Sequence, residues 1–222
     1  MHRRPLLISI LPLSLPATPV WALSDADAGS GIRAALERGA VAAVKLLGKA
    51  DGFLGNDKVR IPLPGYLEDA GKLMKKLGQG KKVDELITAM NRAAEAAVPE
   101  AQALLVSAAK SISVSDALKI VRGGPTSVTE YFSGKTREPL GVKFLPIVTR
   151  ATEKVKLAER YNAVAAKGAG LGLVKKEDTN IQGYVTRKAL DGLYYMIGEE
   201  EKKIRADPIG TGSKLLAAVF GR

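Results

Sequence analysis

In the segment MNRAAEAAVPE, Met90 to Glu100, an amide, a guanidinium and a carboxylate fall at Asn91, Arg92 and Glu95. Residues three and four apart share a helix face, so both Asn91 and Arg92 are expected to reach Glu95. The trio is either a local polar network or a carboxylate held by arginine in a cleft. A paired guanidinium keeps a carboxylate ionised, which suits it poorly to general-acid work near neutral pH and favours the structural role. A second set, Tyr184, Lys188, Asp191, Tyr195 and Glu199, recurs at spacings of four, three, four and four. It forms one polar stripe on a helix whose other positions, among them Val185, Leu190, Leu193, Met196 and Ile197, are apolar. The stripe is either a solvent side laced by a Lys188–Asp191 ion pair, or the polar wall of a pocket to which two tyrosines offer ring faces and hydroxyls.

Other chemistry is excluded by absence. The chain has no cysteine, and its one histidine, His2, and one tryptophan, Trp21, both stand in the first 22 residues. Without His or Cys beyond that point there is no Ser-His-Asp or Cys-His triad and no typical zinc site, so neither a metal nor a cofactor is expected. Gly134-Lys135-Thr136 echoes the end of a phosphate-binding loop, but Thr129 stands where its first glycine belongs and no strand precedes it. The glycine-rich run Gly168 to Gly172 follows a helix and reads as a C-cap and connector. Lys72, Lys75, Lys76, Lys81 and Lys82 form a basic cluster with no interleaved aromatic to stack on bases. That argues against nucleic acid and leaves a solvated helix face or a contact with an anionic lipid surface.

The stretch VRIPLPGY, Val59 to Tyr66, cannot be helical throughout, since Pro62 and Pro64 lack N–H groups and push the preceding residues to extended conformations. Extended backbone points Val59, Ile61 and Leu63 one way, and Arg60, Pro62 and Pro64 the other. This strap either closes a helical core or forms the lip of a groove with Arg60 at its mouth. Arg60 and Tyr66 of the strap, with Tyr184, Lys188, Asp191 and Tyr195, make up the candidate ligand or partner surface.

The elements that must position these residues are helices with Gly and Pro between them. Ile32, Leu36, Ala40, Val44 and Leu47 recur at helical spacing up to Gly48; Leu67 to Leu77 ends at Gly78; Val83 to Ala97 ends at Pro99. Further helices are predicted around Leu104 to Ile112, from a Ser113–Asp116 capping box, from an N-cap at Thr126 through Phe144 and Val148, and from Leu157 to Lys167. Pro146 is expected to kink or restart its helix. Asn180 is expected to cap a long central helix, Ile181 to about Arg205, and Leu215 to Phe220 forms a last apolar piece.

The strings KADGFLGNDKVRIPLP, MNRAAEAAVPEA, YFSGKT and YVTRKALDGLYYMIGEEE resemble recurring segments of a bacterial family, domain of unknown function 4197. The resemblance covers nearly all of the chain after the first residues. It implies an exported envelope protein and supplies no catalytic residue.

The N-terminus reads as a leader: Arg3 and Arg4, an apolar run from Leu6 to Val20 broken by prolines, and small or slim residues before a cut after Ala22. Residues 1–22 are thus expected to be a cleavable signal peptide and residues 23–222 a single helical domain in the periplasm, with no spanning segment. The whole chain of 222 residues carries 34 lysines and arginines against 23 acidic residues, a net charge of +11, which favours anionic partners. The fold class expected is all-α, a bundle of about eight to ten helices with one extended, proline-containing strap. The function expected is that of a non-catalytic binding module for an amphiphilic or anionic envelope ligand, such as an anionic lipid. An envelope scaffold is the alternative. A carboxylate-dependent glycan hydrolase is a third class, for which the Glu-Ser pair of helical muramidase-like folds is missing.

Overall fold

The computed structural model describes residues 25–170 and 180–207. The expected leader, the end of the glycine-rich run and the piece Leu215 to Phe220 lie outside the described residues, as does the Tyr66 side chain. Among the described residues the regular elements are all helical, and no strand occurs: α1 Asp25–Leu47, α2 Gly65–Met74, α3 Gly80–Ala97, α4 Ala101–Lys110, α5 Val114–Arg122, α6 Ser127–Thr152, α7 Lys156–Gly170 and α8 Ile181–Ala206. Counted as uninterrupted helical runs these are six, fewer than the eight to ten expected. The difference arises because α2, α3 and α4 follow one another directly, through a wide turn at Lys75–Gln79 and a tight one at Val98–Glu100. No helix among the described residues is long and apolar enough to cross a membrane.

Local chemistry sets most boundaries. Pro64, at φ −57° and ψ 142°, is extended and starts α2. Gly78 takes φ +77°, a left-handed value cheap only for glycine, and breaks the helical path between α2 and α3. Pro99 lies in the first turn of the tight helix joining α3 to α4. Ser113 caps α5 by accepting from the Asp116 N–H, and Asn180 caps α8 by accepting from the Gly183 N–H at 2.6 Å.

One expectation about α6 fails and a second is narrowed. Thr126 occupies the N-cap position, but its hydroxyl donates to Glu130 Oε1 at 2.9 Å and caps nothing. The Val128 N–H instead reaches Glu201 Oε1 at 3.3 Å, so a buried carboxylate from α8 serves the positive end of α6. Pro146 does not restart the helix, and neither does Pro139; both lie within one 26-residue helix. The two prolines stand two turns apart on the exposed face. Water can reach the carbonyls they leave unpaired, while Leu140, Phe144 and Val148 stay buried opposite.

α6 and α8 form the centre and run antiparallel, as the pairs Val128/Glu201, Thr136/Tyr194 and Arg137/Asp191 show. The buried side chains of α1, the strap and α3 to α8 form one continuous apolar core. α8 carries twelve buried residues, fitting its prediction as a central helix. At Gly192 an added Cβ would lie 2.7 Å from the Phe53 ring and 3.3 Å from Val59. That close approach seats the connector between α1 and α2 directly on α8.

Candidate functional site

The polar trio of α3 holds backbone. Asn91 is wholly buried; its Oδ1 accepts from the Ile61 N–H at 2.8 Å and its Nδ2 donates to the Ile61 carbonyl at 2.9 Å and to the Ile87 carbonyl at 2.8 Å. It therefore meets the strap and not Glu95, contrary to the spacing argument. The reason is that an amide matches both polar groups of an extended residue, which has no strand beside it. Glu95 Oε1 accepts from the N–H groups of Phe53 and Leu54, each at 3.0 Å, while Oε2 accepts from Arg92 at 2.7 Å. Arg92 also donates to Asp51 at 2.8 Å, and Asp51 itself turns at φ +63°. Both oxygens of Glu95 are thus spent on fixing residues 51–54 against α3.

The strap lies across the bundle, with Val59, Ile61 and Leu63 buried and Arg60 and Pro62 exposed, as the alternation predicts. Burying three such side chains stabilises by about 1.5–3 kcal/mol each. Pro64 departs from the pattern: it is buried, because the chain has already turned into α2. The strap runs antiparallel to α8, Lys58 pairing with Glu199 at 2.9 Å near one end and the Tyr184 hydroxyl donating to the Pro62 carbonyl at 3.1 Å near the other.

That geometry divides the predicted stripe. Arg60, Lys188, Asp191 and Tyr195 line one groove of about 260 Å³ between strap and α8, together with Lys58. Tyr184 does not join them: it is buried, with the Arg187 guanidinium over its ring at 5.5 Å. The Lys188–Asp191 ion pair is also absent. Asp191 pairs with Arg137 of α6 at 2.8 Å, and the Lys188 ammonium lies 6.0 Å from the Tyr184 ring. Two guanidiniums take the carboxylate in place of the lysine, Arg137 from the packed neighbour and Arg187 one turn back on the same helix at 3.8 Å. Hydrogen bonds from Lys202 and then Lys58 pull the Glu199 carboxyl down to about 2, and Glu199 in turn raises Lys58. Of the charges lining this groove, Lys58 pairs with Glu199 and Asp191 with Arg137, while Arg60 and Lys188 make no ion pair among the described residues.

A second and larger cationic site lies between α3 and the α6–α7 junction. Lys81 and Lys82 at the start of α3 face Lys154, Lys156 and Arg160 at the α6–α7 junction across an open groove of about 890 Å³. Asp84 and Glu85 are its acids, and Asp84 is already held by Lys75 at 2.7 Å. Adjoining it is an apolar pocket of about 220 Å³ walled by Leu63, Leu67, Met74, Val83, Leu86 and Tyr161. Leu157 and Arg160 line both spaces. Arginine can lay its methylene stem along an apolar wall while its charged end stays in the groove, so Arg160 can join a hydrophobic seat to a cationic one.

Sequence reasoning singled out Lys81 and Lys82 but missed Lys154, Lys156, Leu157 and Arg160. Their only local signal is the alternation Lys154-Val155-Lys156-Leu157 at the start of a helix. What makes them a site is the packing of α7 against α3, which no spacing within either helix encodes.

An all-α protein in which a cationic groove opens onto an apolar pocket is thus the class that fold and site define. The chain belongs to the family described as Protein of unknown function (DUF4197), which matches residues 22–221. No curated protein and no solved structure matches it.

Proposed function

We propose that the protein is a non-catalytic binding module for an anionic amphiphile of the bacterial envelope. One observation carries the reading: an apolar pocket and a five-cation groove share Leu157 and Arg160, so a single ligand with an acyl chain and an anionic head would fill both. Pocket binding buries apolar ligand surface, and the excess positive charge concentrates anions at the mouth. The leader-like N-terminus supports a periplasmic setting, where anionic lipids are the abundant ligands of that description. The groove lined by Arg60, Lys188, Asp191 and Tyr195 shares no lining residue with the apolar pocket and serves in this reading as a secondary polar contact surface.

Native mass spectrometry of the protein recovered from its own periplasm tests the proposal. An added mass that lipid extraction removes, and that the Arg160→Glu variant does not carry, is the expected result. Bare protein in a stable complex with another chain would replace this reading with the scaffold.

A further inference from the structure

The turn between α2 and α3 carries the two most exposed leucines of the described residues outside α6. Leu73 is 58% exposed and Leu77 69% exposed. They stand four residues apart, one helical turn, with the kink at Leu77 and Gly78 immediately beyond. Gly78 at φ +77° bends the chain back into α3 and leaves Leu77 at the apex. Adjacent leucines this exposed mark a contact surface, and nothing among the described residues covers them.

Their surroundings specify what would. Lys72, Lys75, Lys76, Lys81 and Lys82 ring the turn, all of them exposed. Lys72 and Lys75 are paired with Asp69 and Asp84, and Lys82 donates to Gln79 at 3.2 Å. Lys76 and Lys81 make no ion pair among the described residues. An apolar tip inside a collar of lysines is complementary to an anionic bilayer surface: the leucines enter the boundary between headgroups and acyl chains, while the ammoniums meet the phosphates. An acidic protein surface would satisfy the lysines but offer the two exposed leucines no apolar medium. The position adds a second argument. Met74, one residue after Leu73, lines the apolar pocket with Leu67 of the same helix.

We infer that the α2–α3 turn is a membrane-docking tip, which places the mouth of the apolar pocket against an anionic bilayer so that an amphiphile passes between the two. The inference rests on the ligand reading above for the passage of the amphiphile, whereas the docking itself stands on Leu73, Leu77 and the lysine collar alone.

Flotation of the purified protein with vesicles tests it, comparing phosphatidylglycerol/phosphatidylethanolamine mixtures with pure phosphatidylcholine. Binding to the first set that weakens with added salt, with little binding to the second, is expected. Leu73→Asn/Leu77→Asn should lower vesicle binding about tenfold or more, and Lys76→Gln/Lys81→Gln should lower it and flatten the salt dependence. All these positions are exposed, and unchanged thermal unfolding of each variant confirms that the fold is kept. Uptake of monomeric short-chain phosphatidylglycerol should survive Leu73→Asn/Leu77→Asn, since neither leucine lines the pocket or its groove, and this separates docking from pocket binding. Equal binding to both kinds of vesicle, unchanged vesicle binding by the leucine variant, or a purified protein that proves dimeric and is made monomeric by the leucine substitutions would overturn the inference.

Discussion

Asn91 holds Ile61 by both of its backbone polar groups, donating to the carbonyl and accepting from the N–H, so one side chain of α3 stands in for a neighbouring strand. Asn91→Ala would strand a buried N–H and a buried carbonyl at once. The expected loss is about 2–4 kcal/mol in urea unfolding, since each unsatisfied buried group costs about 1–3 kcal/mol. Asn91→Asp should be nearly as damaging, because its carboxylate would face the Ile61 and Ile87 carbonyls where an amide now donates. A loss below the range of an ordinary surface substitution would mean that the strap is not held here.

Glu95 differs from Asn91 in having a charged partner. Glu95→Gln keeps an acceptor for Phe53 and Leu54 but weakens the contact with Arg92, and Glu95→Ala abandons all three. The predicted order of destabilisation in the same assay is alanine well above glutamine, with the alanine variant losing about 2–4 kcal/mol because it strands the N–H groups of Phe53 and Leu54 while Arg92 keeps Asp51. Amide exchange at Phe53 and Leu54 should quicken in step with it.

Gly192→Ala places a methyl group against the Phe53 ring and Val59. Both neighbours are buried and cannot retreat into solvent, so overpacking should cost about 1–3 kcal/mol. A neutral or stabilising result in thermal unfolding would show that the connector is looser than its contacts imply.

Glu199 gives the protein an acid-sensitive link between strap and α8. Its carboxyl titrates at about 2 in the native state, below the ordinary 4.5, so the unfolded chain binds its proton first as pH falls. The stabilisation is complete above about 4.5 and disappears as pH drops from there toward 2. NMR titration of Lys58→Gln should return the Glu199 carboxyl part of the way to its ordinary value, with Lys202 still lowering it. No movement would assign the whole effect to Lys202.

Helical periodicity alone located most of the fold. Ile32, Leu36, Ala40, Val44 and Leu47 are all buried in α1, and the caps at Ser113 and Asn180 form as their side-chain chemistry requires. The apolar edge of the strap was equally legible, because two prolines permit only extended backbone there. What local spacing could not supply was partner choice. Asn91 could satisfy Glu95 or a strap, and burial beside Ile61 decided; Asp191 could take Lys188 or Arg137, and the packing of α6 decided. Thr126 failed as a cap for the same reason, since the Glu201 carboxyl arrives from 75 residues further along the chain to take the Val128 N–H. The candidate site was least legible of all. Arg160 and Lys81 are unremarkable alone, and their meaning arises only where α7 and α3 come together.

The central claim is that one ligand spans the apolar pocket and the cationic groove, and calorimetric titration of the purified protein with monomeric short-chain phosphatidylglycerol and phosphatidylcholine tests it most directly. The account predicts tighter binding of phosphatidylglycerol, a negative heat-capacity change from apolar burial, and a loss of about tenfold or more in affinity for Arg160→Glu with the fold intact. Equal affinity for the two lipids together with an unaffected Arg160→Glu variant would contradict it.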